Sequence, residues 1–191
     1  LAAPPPANPV AWSLSVLWSG WLLGLQAARP RHGLLAQPWP DWDWYRQALC
    51  AVMQPLRPAL KPDAVWVFDF EAADPRHAPA VTLAALKAGY RAIDWRIAGT
   101  RHRLTLAPTP PDPVSPAGPE HIKAAVRQQS RAAVDALLRQ RGQPASGEQL
   151  FLAAWRALLF SGLLAQTLAA LPGRQVLPWL SEQINRAIQP S

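Results

Sequence analysis

The residues best placed for chemistry at the start of the chain form a proline-rich elbow. Residues 1–3 are a short apolar stretch that leads into three consecutive prolines, and Asn8 then precedes a Trp-rich apolar segment. In an α/β sheet, ligand sites form beyond the carboxyl ends of strands, where the chain turns towards a helix. If residues 1–3 end a strand, the elbow is positioned for such a site.

A second candidate site lies at the end of a predicted strand. Residues 64–70 form a nearly continuous apolar run rich in β-formers, which is typical of a strand covered on both faces. Asp69 and Glu71 stand at its exit, so Glu71 is a candidate ligand contact. The alternative is that these carboxylates are solvated in a loop or cap the next helix.

Basic side chains surround the two segments that follow. Residues 91–98 and 101–107 both alternate apolar and polar side chains across a two-residue Gly-Thr turn, which predicts an antiparallel hairpin. Arg96, Arg101 and Arg103 are candidate contacts to nucleic-acid phosphates. The alternative is a solvated edge whose charges discourage pairing with another strand.

The same alternation assigns apolar side chains to faces of the hairpin. One strand is expected to present Ile93, Trp95 and Ile97 together. The other is expected to present the set His102, Leu104 and Leu106.

Composition and charge limit the classes of partner and cofactor. The 191 residues include 19 Lys and Arg and 12 Asp and Glu, a formal net charge of +7. That balance permits nucleic acid or an anionic surface as partner, although a coding bias towards Arg and Ala would give the same charge. The four histidines lack metal-ligand spacing, so no metal site is predicted. The single cysteine, Cys50, has apolar neighbours and is expected to be buried in a protein of a reducing compartment, the cytoplasm.

Residues 10–28 carry no charge and predict a helix that begins after Asn8 and ends near Arg29. Because this helix is apolar nearly all round, we expect it to lie against a sheet and to be covered on two sides. Its length also meets the rule for a membrane span, with Arg29 and Arg31 as a cytoplasmic flank. Polar residues and Trp spread along the run favour the buried helix.

The remaining pattern divides the chain into an α/β part and a helical part. A helix capped by Asp41 or Asp43 is expected to run to about residue 60, and Pro55 and Pro58 inside it predict that it kinks or ends early. Asp74-Pro75 opens another helix, which Gly89 stops. Ser146 and Gln149 predict a capping box in the helical part. The predicted organisation is an α/β domain at 1–107, a Pro-rich linker at 108–119 and a helical appendage at 120–191.

Three segments carry a family resemblance. Lys61-Pro62-Asp63 leads into a strand, Lys87-Ala88-Gly89-Tyr90 ends a helix before another strand, and Ala3-Pro4-Pro5-Pro6 separates a strand end from a helix. With the order of elements, they resemble the second half of the class I S-adenosylmethionine-dependent methyltransferase fold, at its fifth and sixth strands and its terminal, antiparallel seventh strand. The elbow falls where amino-methylating DNA methyltransferases carry Asp/Asn/Ser-Pro-Pro-aromatic. The run from Trp12 to Gly24 resembles the region after that motif in a group of bacterial DNA methylases.

The resemblance implies a partial Rossmann-like sheet, S-adenosylmethionine as cofactor, and methyl transfer to an exocyclic amine of a DNA base. In that family the motif accepts hydrogen bonds from the amine while its aromatic side chain stacks on the flipped base. Here Ala3 and Pro6 replace the polar and aromatic residues, so the catalytic position formed with Pro4 and Pro5 is degenerate. The family's glycine-rich cofactor loop lies upstream of the motif and is absent from the sequence. We therefore expect no methyl transfer from this polypeptide by itself.

Further expectations follow from the same resemblance. Asn8, Trp12 and Glu71 would contact the substrate base, and the hairpin arginines would contact DNA. The chain begins with Leu rather than Met, so we expect it to belong to a longer parent protein. The appendage would be a winged-helix-like DNA-gripping unit or a homodimerising unit. Two alternatives remain open, a non-catalytic α/β module that binds nucleic acid or protein, and a membrane-anchored protein with residues 10–28 as its span.

Overall fold

The chain folds into a mixed α/β structure that is mostly helical. The computed structural model describes residues 9–26, 29, 41–61, 63–109, 118–171 and 176–189. The described elements, in chain order, are α1 (Pro9–Leu23), α2 (Trp42–Leu56), a 3-10 turn (Arg57–Ala59), β1 (Trp66–Glu71), α3 (His77–Lys87), β2 (Tyr90–Ala98), β3 (Arg101–Pro108), α4 (Pro119–Arg141), α5 (Gly147–Phe160), α6 (Leu163–Ala170) and α7 (Val176–Ile188).

The three strands form an antiparallel-paired sheet in the order β1-β3-β2. Both outer strands run antiparallel to β3, so β1 and β2 are parallel to one another with β3 between them. Helix α3 connects these two parallel strands. The predicted hairpin of β2 and β3 is confirmed, and Gly99 takes a positive φ of 61° at its turn.

A β-bulge interrupts the alternation of β2. The pairing with β3 shifts between Ala92 and Asp94, which leaves Ile93 as the extra residue. Trp95 is fully buried, whereas Ile93 is 46% exposed. The prediction that these two side chains share a face with Ile97 is therefore wrong at Ile93, because strict alternation cannot anticipate an inserted residue.

Within the part of the chain that the structure describes, helices cover one face of the sheet. Phe68, Phe70, Leu104 and Leu106 are buried on the face towards α2 and α3, as expected for the β3 set. The opposite face carries charged side chains that are exposed or half-buried. The expectation that β1 is covered on both faces is wrong for the described residues. Asp69 and Glu71 project from the face opposite to Phe68 and Phe70, and that face carries no described helix.

The C-terminal helices pack against the sheet domain in one continuous core. α6 and α7 contact α3, and α5 contacts both α4 and β2. At this junction the buried Trp155 Nε1–H donates to Thr82 Oγ1 at 3.0 Å. A single buried cluster therefore runs from α2 and the sheet into α7.

Helix α1 differs from its prediction. Trp21 is 78% exposed, and of the α1 side chains that the structure describes only Val16 is buried. The expectation that this helix is covered on two sides is wrong for the described chain. Among the described residues, one face of the sheet lies against α2 and α3 and the other carries charged side chains, so neither face covers α1.

Helix α2 ends at Leu56, where Pro55 occupies its last turn and a 3-10 turn follows, so the early end is confirmed. Among the described residues, no single helix is long and apolar enough to cross a bilayer; α5 and α6 together reach the length and composition but are bent by 80°.

Candidate functional site

The structure brings the three predicted arginines together on the open face of the sheet. Arg96 on β2 lies directly opposite Arg103 on β3, and Arg101 lies two residues before Arg103. Residues two apart on a strand project from the same face, so cross-strand pairing places all three side chains on one surface. The register of β2 and β3 therefore brings the three arginines, which are not adjacent in sequence, into one basic cluster.

Asp69 of β1 joins this cluster. It lies opposite Arg103, and its two carboxylate oxygens accept hydrogen bonds from both neighbouring arginines. Arg103 Nη2 lies 2.7 Å from Oδ2 and Arg101 Nε lies 3.2 Å from Oδ1. The nearby Arg96 is held by a different carboxylate, with its Nε 2.8 Å from Asp94 Oδ2. We call Asp69, Arg96, Arg101 and Arg103 the open-face cluster.

The open-face cluster lines a shallow cavity of about 270 Å³ together with Ala98. Three guanidinium groups and one carboxylate line it, and two further carboxylates lie on the same face, Asp94 beside Arg96 and Glu71 opposite Arg101. The hydrogen bond from Arg103 and the charges of both arginines hold the pKa of Asp69 below its usual range. The aspartate is therefore ionised at neutral pH, and the arrangement is chemically suited to bind an anion rather than to exchange protons.

Glu71 lies at the carboxyl end of β1, where the sequence places a ligand contact. Glu71 is exposed and lies opposite Arg101 in the register of β1 and β3. Its carboxylate accepts a hydrogen bond from Thr100 Oγ1 at 3.0 Å. Its proposed contact with a substrate base stays a prediction.

The elbow positions Ala3, Pro4, Pro5, Pro6 and Asn8 lie outside the described residues. Of Trp12 in α1 the structure describes the backbone but not the side chain. The proposed catalytic and base-contacting roles of these residues stay predictions.

A buried histidine cluster, which sequence reasoning did not assemble, lies beneath the same end of the sheet. Tyr45 Oη of α2 lies 3.0 Å from His77 Nε2 at the start of α3. The ring of Phe70 lies between two histidine rings, 5.1 Å from that of His77 and 5.4 Å from that of His102. Trp95 Nε1–H donates to His102 Nδ1 at 3.2 Å.

Burial controls the titration of this cluster. It lowers the pKa of His77 to about 4, lowers the pKa of His102, and raises the pKa of Tyr45. Both imidazoles are therefore neutral at pH 7, and they act as packed, hydrogen-bonded rings. The sequence indicated a buried position for His102, because it alternates with Leu104 and Leu106 along one strand. No pattern in the sequence indicated that His77 is buried.

Among the described ranges, no group of three or more His, Cys, Asp or Glu side chains is placed to hold a metal ion. Cys50 is buried, and burial raises the pKa of its thiol, as expected for a packing residue.

Comparison with known protein families, with curated proteins and with solved structures finds no match for this chain. Any function must therefore be argued from its own residues and geometry.

Proposed function

We propose that this chain is the target-base half of a class I S-adenosylmethionine-dependent DNA methyltransferase-like protein. The observation that carries the proposal is the strand order β1-β3-β2. In this proposal β1 and β2 take the places of the fifth and sixth strands of that family, and β3 takes the place of the seventh strand, which the family inserts antiparallel. The closing part of the class I fold would have a sheet with this order.

Two further features support the proposal. Helices α2 and α3 pack against each other on the covered side of the sheet, and no described helix lies on the charged side. Glu71 and the hairpin turn meet at the carboxyl end of β1, where ligands bind in α/β sheets. The degenerate elbow, with Ala3 and Pro6, makes this half a DNA-positioning partner rather than a source of methyl transfer by itself. A cytoplasmic location belongs to the same proposal.

Calorimetric titration with S-adenosylmethionine tests the enzymatic part. We expect the complete gene product that contains this sequence to bind the cofactor, and the 191-residue chain alone to give no heat, because the family's glycine-rich loop is not in it. Titration with ATP controls for binding to the adenosine moiety alone. Absence of cofactor binding by the complete gene product would overturn the methyltransferase proposal.

A second candidate function is a non-catalytic nucleic-acid-binding module, and the open-face cluster is the observation that favours it. The residues that line its cavity all belong to β1, β2 and β3, so nucleic acid could bind there without a cofactor-binding loop. DNA binding that weakens with salt and is unchanged by S-adenosylmethionine would favour this candidate over the first.

A further inference from the structure

We propose that the open-face cluster is a binding site for the phosphodiester backbone of nucleic acid, in which Asp69 pre-aligns Arg101 and Arg103 and is displaced when a phosphate binds. The proposal rests on DNA as the partner in the proposed function, but it needs neither the elbow nor the cofactor.

The arginines of the open-face cluster are more exposed than its aspartate. The side chains of Arg96 and Arg101 are 78% exposed and that of Arg103 is 56% exposed, whereas Asp69 is 19% exposed between them. The guanidinium groups thus reach solvent while the carboxylate sits lower, at the floor of the cavity. A ligand approaching the open face meets arginine donors before it meets the aspartate.

The arginine donors of the open-face cluster match the geometry of a phosphate group. Asp69 engages Arg101 and Arg103 but is not the carboxylate that holds Arg96, although all three arginines line one cavity. A phosphate has more acceptor oxygens than a carboxylate and matches the planar guanidinium fork in two-point hydrogen bonds. One phosphate in this cavity can therefore accept from arginines on both β2 and β3, which no single acidic residue of the cluster does.

Replacing Asp69 by a phosphate as the partner of these arginines costs little free energy. Ion pairs between exposed side chains contribute little to stability, so exchanging the carboxylate for a phosphate as the partner of Arg101 or Arg103 costs little. Each phosphate that binds also releases condensed counterions from the nucleic acid, which favours association. The formal net charge of +7 attracts a polyanion over a longer range than one acidic side chain can counter.

Asp69→Asn is the decisive substitution. If Asp69 competes with phosphate, removing its charge leaves the arginines free and takes away a repulsion, so affinity for DNA should rise about fivefold. Arg101→Ala and Arg103→Ala should each lower affinity about fivefold and reduce the slope of log K against log salt by about one. Weaker binding by the Asn variant would mean that Asp69 only anchors the arginines, and it would overturn the proposal.

The chain offers a matched control pair on α7. Arg186 and Glu182 form an exposed ion pair of the same kind, remote in sequence from the sheet. Glu182→Gln and Arg186→Ala change the net charge by the same amounts as the cluster variants. We expect each of them to change affinity less than twofold, which separates a site from a general effect of charge.

The measurement is fluorescence anisotropy of a labelled 20-base-pair duplex with the 191-residue chain, at several salt concentrations and without S-adenosylmethionine. Tighter binding by Asp69→Asn, weaker binding by the cluster arginine variants and unchanged control variants would support the proposal. No DNA binding, or cluster and control variants that behave alike, would overturn it. So would displacement of the duplex by a poly-glutamate peptide at equal charge concentration, which would assign the surface to an acidic protein. The anisotropy experiment contains no S-adenosylmethionine. A negative result in it would overturn the phosphate site without deciding whether the complete gene product binds the cofactor, which calorimetry tests.

Discussion

At the scale of single residues, the buried imidazole of His77 makes stability depend on pH. Burial lowers its pKa to about 4, whereas a histidine in an unfolded chain has a pKa of about 6.5. Above about pH 6.5 both states are neutral at this residue, and its full contribution to stability is present. As pH falls from 6.5 towards 4, the unfolded chain binds protons that the folded protein excludes, so the free energy of unfolding falls. For His77 alone we expect a loss of about 2 kcal/mol at pH 5.

Urea denaturation at pH 7.5 and pH 5 measures this loss. His77→Phe should reduce the pH dependence between these values by about 2 kcal/mol and leave the part due to His102, whose pKa burial also lowers. The substitution keeps an aromatic ring in the cluster, although Tyr45 loses its hydrogen-bond partner. His121→Gln, on the exposed side of α4, is the control and should behave as wild type. Asp69 and Asp74, whose pKa values are lowered by arginine partners, contribute only at lower pH, where their unfolded forms become protonated. An unchanged pH dependence in His77→Phe would contradict the assignment.

Gly89 is a second residue with a specific steric role. Its φ is +86°, and a Cβ added there would lie 2.8 Å from Arg57 Nη1. That guanidinium donates a hydrogen bond to the carbonyl of Thr109. Gly89→Ala should therefore combine backbone strain of about 1–2 kcal/mol with displacement of Arg57.

Gly99→Ala is the matched control for this substitution. Gly99 also has a positive φ, 61°, but nothing lies within 4 Å of a Cβ built there. We expect Gly89→Ala to lower the free energy of unfolding more than Gly99→Ala by urea denaturation at neutral pH. Equal losses would mean that the contact with Arg57 is unimportant.

At the scale of elements, the capping box of α5 follows directly from local sequence. Ser146 Oγ accepts from the backbone N–H of Gln149 at 3.3 Å, and Gln149 Oε1 accepts from the N–H of Ser146 at 3.1 Å. Ser146→Ala should lower the free energy of unfolding by about 1 kcal/mol. Ser146→Asn keeps a capping acceptor and should recover most of that loss. Urea denaturation of the wild type and both variants measures the difference. Equal effects of Ala and Asn would argue against the cap.

Elements with strong local signals were predicted well, and their packing was not. Alternation and a two-residue turn were sufficient for the β2–β3 hairpin, because hairpin pairing connects residues that are close in sequence. The bulge at Ile93 was missed because an extra residue leaves no periodic signal. The burial of α1 was wrong because composition reports that a helix is apolar, but not whether the fold has apolar surface left to cover it.

At the scale of the whole molecule, the helices after residue 118 and the sheet share one core. Thr82 Oγ1 accepts from Trp155 Nε1–H and donates to the carbonyl of Pro79 at 2.9 Å. We expect unfolding in urea to give one transition, with coincident curves from far-ultraviolet circular dichroism and Trp fluorescence. Two separated transitions would show that the parts before and after the predicted linker fold independently.

Thr82→Val tests the junction itself. It removes the acceptor of a buried indole N–H and should lower the free energy of unfolding by about 1–3 kcal/mol. Thr105→Val is the control, because Thr105 lies on the open face of β3 and should change stability little. The Thr82 variant should shift the whole transition rather than split it.

The candidate site itself was partly predictable. Arg96, Arg101 and Arg103 were grouped from sequence because all belong to one hairpin. Asp69, the shared partner of Arg101 and Arg103, was considered apart from them. It is 32 and 34 residues away from these two arginines and joins the cluster only through the pairing of β1 with β3. The contact between Tyr45 and His77 was missed for the same reason, as it depends on the packing of α2 against α3.

The sequence by itself determined the strands, the hairpin, the end of α2 and the cap of α5, because turns, caps and alternation act over a few residues. Only the tertiary structure decided which face of the sheet is open and which charges share it. Strand order and register depend on long-range packing, and a pairing between β1 and β3 leaves no mark in the local pattern of either strand. The open-face cluster, and with it the anion site that we propose, therefore exists only once the sheet has formed.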